Sequence, residues 1–291
     1  MEIRVLQYFL AVAREQSISA AANSLHLSQP TLSRQLRDME DELGKQLFIR
    51  GNKKIELTSE GMILRQRAQE IVDLVRKTEN EITASDDHIS GDIYIGAGET
   101  VAVRFLTQAA NTIRRTYPDI HFHIISGDDT DVKEQLDDGL IDFGLVFGNI
   151  DDTKYEAIKI PMEDTWGILM RKDSPLANQA EIHAKDLYGE PLIVSRHSLK
   201  SGIIKKILGR DTDMLNITAT YTLLFNGSLM VQDGIGYALA LDNIINTSGN
   251  SELVFIPLAG EHKETVHIIW KKNHIFSDVS EIFLNQLNNK N

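Results

Sequence analysis

Residues 17–33, with the sequence SISAAANSLHLSQPTLS, decide the fold of the first part of this chain. Ser17 or Ser19 is a suitable N-cap, and the small residues 20–22 predict a short helix that another helix can cross closely. Ser28 predicts the N-cap of the next helix, with Pro30 in the first turn, where a backbone N–H has no helical partner to lose. Two helices joined by such a turn are typical of a helix-turn-helix.

The residues on either side extend this unit. Before it, apolar side chains at helical spacing predict a first helix that ends near Gln16. After it, Gly44 ends the third helix, because glycine readily adopts the left-handed conformation of a helix C-terminus. The buried stripe of that third helix is predicted at Leu32, Leu36, Met39 and Leu43.

The opposite side of the third helix carries hydrogen-bonding and basic side chains of the lengths that reach base edges and phosphates in a major groove. These side chains are Gln29, Thr31, Ser33, Arg34 and Arg37. The alternative is a solvated face on a small helical bundle, which is the commoner meaning of such a helix taken alone. The order of all three helices, with this turn and this cap, favours DNA binding.

A small β-wing is predicted directly after the third helix. Residues 47–50 and 55–57 read as two short strands, and the Gly-Asn turn between them is followed by Lys53 and Lys54. A basic wing tip is expected to contact phosphates or the minor groove beside the recognition helix.

Residues 17–33, 43–44, 47–50 and 57–61 together resemble the signature of LysR-type transcriptional regulators. The resemblance implies a winged helix-turn-helix that binds double-stranded operator DNA as a symmetric dimer or tetramer, with RNA polymerase as a further candidate partner. By position it implies that Gln29, Pro30, Ser33 and Arg34 lie nearest the bases, and that Arg50, Lys53 and Lys54 lie at the backbone or minor groove. The full predicted DNA-binding set is Ser28, Gln29, Pro30, Thr31, Ser33, Arg34, Arg37, Arg50, Lys53 and Lys54.

A long linker helix follows the wing. Thr58 is its predicted N-cap, and apolar residues then alternate by four and three, which is the pattern of a coiled-coil seam. A second copy of the chain is the simplest partner for that seam, and packing on the chain's own C-terminal domain is the alternative. Residues 85–88 are expected to form a polar hinge. The predicted dimerisation residues are Leu64, Ala68, Ile71, Val75, Thr78 and Ile82.

The C-terminal two thirds alternate strands and helices, which predicts parallel pairing and an α/β domain. We expect two lobes, lobe I from about 91–147 and 266–291 and lobe II from about 161–259. Within them, a single helix is expected at 198–208 and a closing helix from 275. The pattern resembles the effector domain of the same family, which is similar to periplasmic binding proteins. The predicted fold is therefore α+β and multidomain: residues 1–57, a linker at 58–88 and an effector-binding domain at 89–291.

A small-molecule effector is expected between the lobes, where strands end and helices begin. The hydroxyl groups of this region and the guanidinium of Arg196 favour an anionic effector, whereas the carboxylates of Glu99 and Asp128 repel an anion. The sequence therefore does not decide whether the effector is anionic, cationic or neutral. Its identity is unknown. The predicted effector-binding residues are Gly98, Glu99, Thr100, Ser126, Phe147, Ser195, Arg196, His197 and Thr222.

Composition narrows the classes of function. The net charge is −12, yet residues 1–57 carry eight Lys/Arg against seven Asp/Glu, so the acidity lies in the remainder. Cysteine is absent, which removes disulfides and thiol chemistry. We expect a cytoplasmic protein without membrane span, cofactor or metal. A solute-binding protein and an α/β enzyme are the alternatives, but no convergent catalytic set is visible, and His121 and His123 lack a third ligand.

Overall fold

The computed structural model describes residues 1–50, 54–83 and 89–289, in two compact units that divide after Ser85. None of the described helices is long and apolar enough to cross a membrane. Each unit is described by itself below.

The first unit consists of four helices and a two-stranded wing. Its elements are α1 (Ile3–Glu15), α2 (Ile18–Ser24), α3 (Gln29–Leu43), β1 (Phe48–Arg50), β2 (Ile55–Leu57) and α4 (Ser59–Thr83).

The helix ends follow the predicted capping residues. The Ser17 hydroxyl accepts a hydrogen bond from the Ala20 N–H, and the Ser28 hydroxyl accepts one from the Thr31 N–H, both at 3.3 Å. Gly44 ends α3 with φ +62°, in the left-handed region. Thr58 caps α4, since its hydroxyl accepts from the Gly61 N–H at 2.9 Å. These caps confirm the helix boundaries that the sequence predicts for this unit.

The wing is tied to α3 and α4. β1 and β2 pair antiparallel. The Glu40 carboxylate of α3 accepts hydrogen bonds from the Leu47 and Phe48 N–H groups at 2.8 and 3.2 Å. At Gly61, a Cβ atom would lie 2.2 Å from the Leu47 carbonyl oxygen, so only glycine allows this approach. The close contact holds the first turn of α4 against the wing.

One apolar core joins all four helices and the wing. It is built around Phe9, whose ring lies 5.1 Å from that of Phe48. Two residues of α4, Ala68 and Val72, are buried in the same core. The first half of α4 is therefore part of the winged helix-turn-helix core rather than a separate linker.

The second unit contains nine strands and six α-helices among its described residues. The strands are β3 (Gly91–Ala97), β4 (Ile120–Ser126), β5 (Phe143–Phe147), β6 (Tyr155–Arg171), β7 (Leu192–Ser195), β8 (Ile217–Tyr221), β9 (Tyr237–Leu241), β10 (Leu253–Pro257) and β11 (Lys263–Lys271). The helices are α5 (Val103–Thr116), α6 (Asp129–Asp137), α7 (Arg196–Ser201), α8 (Ile203–Leu208), α9 (Leu224–Gln232) and α10 (Asp278–Asn288).

These strands form two sheets that share β6. One has the order β4-β3-β5-β11-β6 and the other β6-β9-β7-β8, with β10 also paired to β6. Pairs β3–β4, β3–β5, β7–β8 and β7–β9 are parallel, as alternating strands and helices predict. Residues 155–165 of β6 pair with β11, and residues 166–171 pair with β9 and β10. The chain thus crosses between lobes within a continuous strand.

Several sequence-based boundaries need correction. The segment expected to connect the lobes between residues 147 and 161 is strand from Tyr155 onward, since that part of β6 pairs with β11. The single helix expected at 198–208 is two helices, because Gly202 interrupts it with φ +74°. The last helix begins at Asp278 rather than near 275, since Ser277 caps it and Ile275 is exposed. Strand β10 is not anticipated by the sequence pattern at all.

Each lobe has its own apolar core. In lobe I, Phe143 stacks on Phe276 and meets Phe283 of α10 edge-on at 5.2 Å, so the chain's end completes the first lobe. In lobe II, buried aliphatic side chains of β6, β7 and α8 pack together. Two separate cores leave a cleft between the lobes as the place where polar groups can gather.

Candidate functional site

The N-terminal turn of α3 exposes a polar face. Gln29, Pro30, Thr31 and Arg34 are all exposed, and the Thr31 hydroxyl lies 2.7 Å from that of Ser28. The Arg34 side chain is 81% exposed and has a long ion pair of 3.8 Å to Asp38 of the same helix. An exposed ion pair of this kind contributes little, so the guanidinium can exchange it for a phosphate or base edge.

Ser33 differs from the sequence-based prediction. It is 6% exposed, and its hydroxyl accepts a hydrogen bond from the Arg37 guanidinium at 3.3 Å. The reason is helical geometry, since Ser33 borders the buried stripe of Leu32 and Leu36. Ser33 positions Arg37 instead of presenting its own hydroxyl on the exposed face.

The wing tip is described only in part. Lys54 is exposed, and Arg50 ends β1 opposite Ile55. The Arg50 side chain and the whole of residues 51–53, including Lys53, lie outside the described residues, as does the predicted hinge at 85–88.

The predicted seam of α4 is divided between two faces. Ala68 is buried and Leu64 is partly buried against the core of its own unit. Ile71 and Ile82 are exposed, and Ile63 and Leu74 join them on the outer face. The apolar spacing finds these positions, but it cannot tell which of two neighbouring stripes packs inward. The large apolar side chains of α4 that stay exposed are Met62, Ile63, Ile71, Leu74 and Ile82.

Two other members of the predicted seam lie between these faces. Val75 is half-buried. Thr78 is exposed, but its hydroxyl donates to the Leu74 carbonyl of its own helix at 2.8 Å.

A cavity of about 820 Å³ lies in the second unit, where β3, β4 and β5 end opposite α7 and α9. This volume is in the range of small-molecule sites. Eight of the nine predicted effector-binding residues line it, namely Gly98, Glu99, Ser126, Phe147, Ser195, Arg196, His197 and Thr222.

Thr100 is the ninth, and it lies behind the cavity wall. It is 8% exposed, its hydroxyl donates to the Asp164 carboxylate, and it accepts from the Ala102 N–H at 2.9 Å. Thr100 therefore ties the start of lobe I to strand β6. Its hydroxyl is thus engaged behind the wall and is not among the groups that line the cavity.

The acidic residues of the cavity already have partners within the chain. The Glu99 carboxylate accepts a hydrogen bond from the Leu224 N–H at the start of α9, which links lobe I to lobe II. Asp128 accepts from the Thr130 and Asp131 N–H groups and lies 3.8 Å from His197 of α7.

Asp129 and Glu264 are engaged in the same way. Asp129 accepts from the Phe147 N–H at 3.4 Å and lies 3.5 Å from the Lys133 ammonium, and desolvation raises its carboxyl pKa. Glu264 accepts from the Trp166 indole N–H at 3.1 Å.

Several lining residues are missed by the sequence reasoning. Apolar side chains of Trp166, Tyr221, Leu241 and Ile244 line the cavity, as do the basic side chains of Lys133, Lys200 and Lys206. Lys200 follows Arg196 by four residues on α7, and this spacing, which places both basic side chains on one helix face, could have predicted that Lys200 lines the cavity. The sequence did not predict that Trp166 lines the cavity, because its position there depends on where β6 passes from one lobe to the other.

Asp164 is the most perturbed carboxyl group near this cleft. It is wholly buried on β6, and desolvation raises its carboxyl pKa to about 6, helped by the nearby charges of Asp242 and Glu264 and opposed by the Thr100 hydrogen bond. Its Oδ1 atom makes no hydrogen bond to the described residues. The crossing strand thus carries a carboxyl group that gains a proton easily.

The histidine pair on β4 has a structural explanation. His123 lies 2.7 Å from the Asp92 carboxylate and stacks on Tyr94 with 4.7 Å between the rings. Among residues 1–50, 54–83 and 89–289, no group of His, Cys, Asp and Glu could hold a metal ion.

Two protein-family models match the chain. Residues 3–62 match the bacterial regulatory helix-turn-helix protein of the lysR family, and residues 86–290 match the LysR substrate binding domain.

Curated relatives agree with these matches. The Hca operon transcriptional activator HcaR of Escherichia coli is 28% identical over 283 residues, which covers 94% of this chain and 93% of that protein. The DNA-binding transcriptional dual regulator OxyR of E. coli is 31% identical over 195 residues, 67% of this chain and 63% of OxyR. The hydrogen peroxide-inducible genes activator of Pectobacterium carotovorum is 30% identical, with 64% of its length covered. The chain thus spans a little under two thirds of these peroxide regulators.

Solved structures share the fold. CbnR, a LysR family transcriptional regulator, superposes with a TM-score of 0.74 at 19% identity, covering 99% of both chains. Full-length CbnR complexed with its target DNA gives the same TM-score and identity over the whole of both chains.

Proposed function

Because this chain belongs to the LysR family of bacterial helix-turn-helix regulators, we propose that it is a transcriptional regulator that binds operator DNA and responds to a small molecule. DNA is held by α3 and the wing, and the effector binds in the cleft between the two lobes. HcaR, which matches this chain over 93% of its own length, is a transcriptional activator.

The observation that carries this proposal is the exposed N-terminal turn of α3. Gln29, Thr31 and Arg34 are exposed there, and Arg34 is committed only to a long surface ion pair. Side chains of these types hydrogen-bond to base edges in a major groove, with arginine directed to guanine. The two lysines of the wing, Lys53 and Lys54, add positive charge for the phosphate backbone.

A second copy of the chain is part of the proposal. The stripe Ile63, Ile71, Leu74 and Ile82 leaves four large apolar side chains exposed along α4. Pairing two such helices removes this surface from water and places two recognition helices on successive turns of a duplex, about 34 Å apart. We infer a dimer as the smallest DNA-binding unit, with a tetramer and contact with RNA polymerase as extensions of it.

The effector response does not use thiol chemistry. The chain contains no cysteine, whereas several of the relatives are described as hydrogen peroxide-inducible genes activators. Without a thiolate there is no sulfenic acid or disulfide to form. The signal is therefore carried by non-covalent binding in the cleft, which shifts the protein between states of different DNA affinity.

The test is binding of the full-length protein to the DNA upstream of its own gene. Fluorescence anisotropy is measured with that duplex and with a shuffled duplex of the same length, at several salt concentrations. We expect binding to two half-sites, preference for the upstream sequence, and an affinity that falls steeply with salt. Equal, salt-insensitive affinity for both duplexes, or a protein that stays monomeric in sedimentation, would overturn the proposal.

A further inference from the structure

In the cleft of the second unit, the acidic side chains have partners within the chain, whereas several basic side chains do not. This difference indicates the charge of the molecule that the cleft binds. This inference rests on the proposed function, since it concerns the effector of the same cleft. From the sequence, the acidic side chains at the cleft left the charge of the effector open. In the structure, these carboxylates accept hydrogen bonds from other groups of the chain.

Each acidic group is satisfied from within the chain. Glu99 binds the first free N–H of α9, and Asp129 binds the Phe147 N–H and Lys133. Asp128 and Asp131 form a reciprocal capping box at the start of α6. Glu264 accepts from Trp166. A cationic effector would have to compete with every one of these hydrogen bonds.

The basic groups divide differently. Lys133 and His197 are close to Asp129 and Asp128. The side chains of Arg196, Lys200 and Lys206 also line the cavity, and none of these three side chains makes a hydrogen bond or ion pair to the residues that the structure describes. The neighbouring Lys205 shows the contrast, since it pairs with Asp211 at 2.7 Å and does not line the cavity. One wall of the cleft, formed by α7 and α8, therefore carries three uncommitted positive charges.

The rest of the lining includes a substantial apolar surface. Trp166 and Leu241 pair in register on β6 and β9, and Ile244 and Phe147 line the same cavity. Such side chains favour the burial of a hydrocarbon or aromatic body.

We propose that the effector is an organic anion, whose acidic group pairs with Arg196, Lys200 and Lys206 and whose apolar body lies against Trp166, Leu241 and Ile244. Guanidinium and ammonium groups donate charge-assisted hydrogen bonds to carboxylate, sulfonate or phosphate oxygens, so the acid fixes orientation while the apolar body adds affinity. Glu99 and Asp128 keep their negative charges, but their carboxylates accept hydrogen bonds from backbone N–H groups and make no ion pair with the three cations.

The test uses two dyes with the same aromatic body. 8-Anilinonaphthalene-1-sulfonate carries a sulfonate, and N-phenyl-1-naphthylamine lacks it. Both are titrated into full-length protein, and binding at the cleft is followed by quenching of Trp166, with the Trp166→Phe variant giving the background. We expect the sulfonate dye to bind at least about tenfold more tightly than the neutral one, as one charge-assisted contact provides.

The variants compared are the triple substitution Arg196→Gln, Lys200→Gln, Lys206→Gln and the control Lys185→Gln, an exposed lysine of the same lobe outside the cavity. The triple variant is expected to lose the preference for the sulfonate dye and to keep its affinity for the neutral dye. The control is expected to behave as the unsubstituted protein.

Equal affinity for both dyes, a sulfonate preference that survives the triple substitution, or no cleft quenching by the sulfonate dye would each overturn the anion assignment. Operator binding is measured on the same samples. If the unsubstituted protein binds its operator but shows no preference for the sulfonate dye, this inference alone is rejected, whereas absent operator binding by the unsubstituted protein rejects the proposed function itself.

Discussion

The recognition face of α3 and the cleft between the lobes are built in opposite ways. The face of α3 comes from a few neighbouring residues of a single helix, and its side chains are exposed with weak internal contacts. The cleft brings together residues from Gly98 to Glu264, and its acidic groups accept hydrogen bonds from backbone N–H groups and from the Trp166 indole. A surface that meets a large polyanion can stay solvated, whereas a cleft that selects one small molecule must be preorganised.

The largest expected effect is a loss of stability in the first unit, and it tests whether the two regions unfold independently of each other. In the Gly61→Ala variant, the new Cβ meets the Leu47 carbonyl oxygen, which overpacks the junction of α4 and the wing and costs the first unit about 3 kcal/mol. Hydrogen exchange measures this loss. Both tryptophans, Trp166 and Trp270, lie in the second unit, so the unfolding transition reported by tryptophan fluorescence is expected to stay in place.

The neighbouring Met62→Ala variant is the control, because Met62 is exposed on the same turn of α4. A shift of the tryptophan transition in the Gly61 variant would show that the two regions do not fold independently.

The next effect concerns the recognition face alone. Arg34→Ala is expected to weaken binding to the operator by about 2 kcal/mol, or roughly thirtyfold, and to change binding to shuffled DNA much less, because a base contact is lost. Fluorescence anisotropy measures both affinities. Arg115→Ala, which removes the same charge from an exposed position on α5, is the control. An unchanged ratio of the two affinities in the Arg34 variant would assign that side chain to the phosphates or to neither.

A smaller effect is expected from the cleft's buried carboxyl group. The pKa of Asp164 is raised from 3.8 to about 6, so between these values the folded protein binds a proton that the unfolded chain does not. The second unit therefore gains about 1 kcal/mol on acidification from about pH 7 to pH 5, and this gain is lost as the pH rises through 6. Asp164→Asn removes it.

Urea unfolding at both pH values, followed by tryptophan fluorescence, measures the difference between the Asp164→Asn variant and the unsubstituted protein. An identical pH dependence in the two proteins would mean that Asp164 stays ionised in its buried position behind the cleft and that the cost of burying its charge is compensated.

The smallest effect concerns the link between the lobes. Glu99→Gln keeps a hydrogen-bond acceptor at the start of α9 but removes the negative charge that the helix dipole favours, at a cost of about 0.5 kcal/mol. Urea unfolding followed by tryptophan fluorescence measures it, with the exposed Glu261→Gln as the control. If the free energy of unfolding falls by the same amount in both variants, the hydrogen bond of Glu99 to α9 adds no more stability than an exposed surface charge.

The recognition face could be predicted from sequence because its signals are local. Ser17, Ser28 and Gly44 each act on residues within a turn of themselves, and the structure places all three as caps. The burial of Ser33 was not foreseen, since it borders the buried stripe and its exposure depends on how α3 packs. The apolar spacing of α4 likewise does not say that Ala68 packs inward while Ile63 stays exposed.

Most of the cleft was predictable in outline, because residues that follow parallel strands collect at one edge of a sheet. The basic wall was not, since Lys206 reaches the cavity only because Gly202 breaks the expected helix in two. Trp166 was missed because it depends on pairing between β6 and β9, across more than seventy residues of sequence.

Strand β6 runs through both lobes and stays bonded to β11 up to the crossing, where the register of β11 shifts between Thr265 and His267. A rotation of one lobe against the other would therefore have to twist this hydrogen-bonded ribbon, because the backbone of β6 is continuous through both lobes.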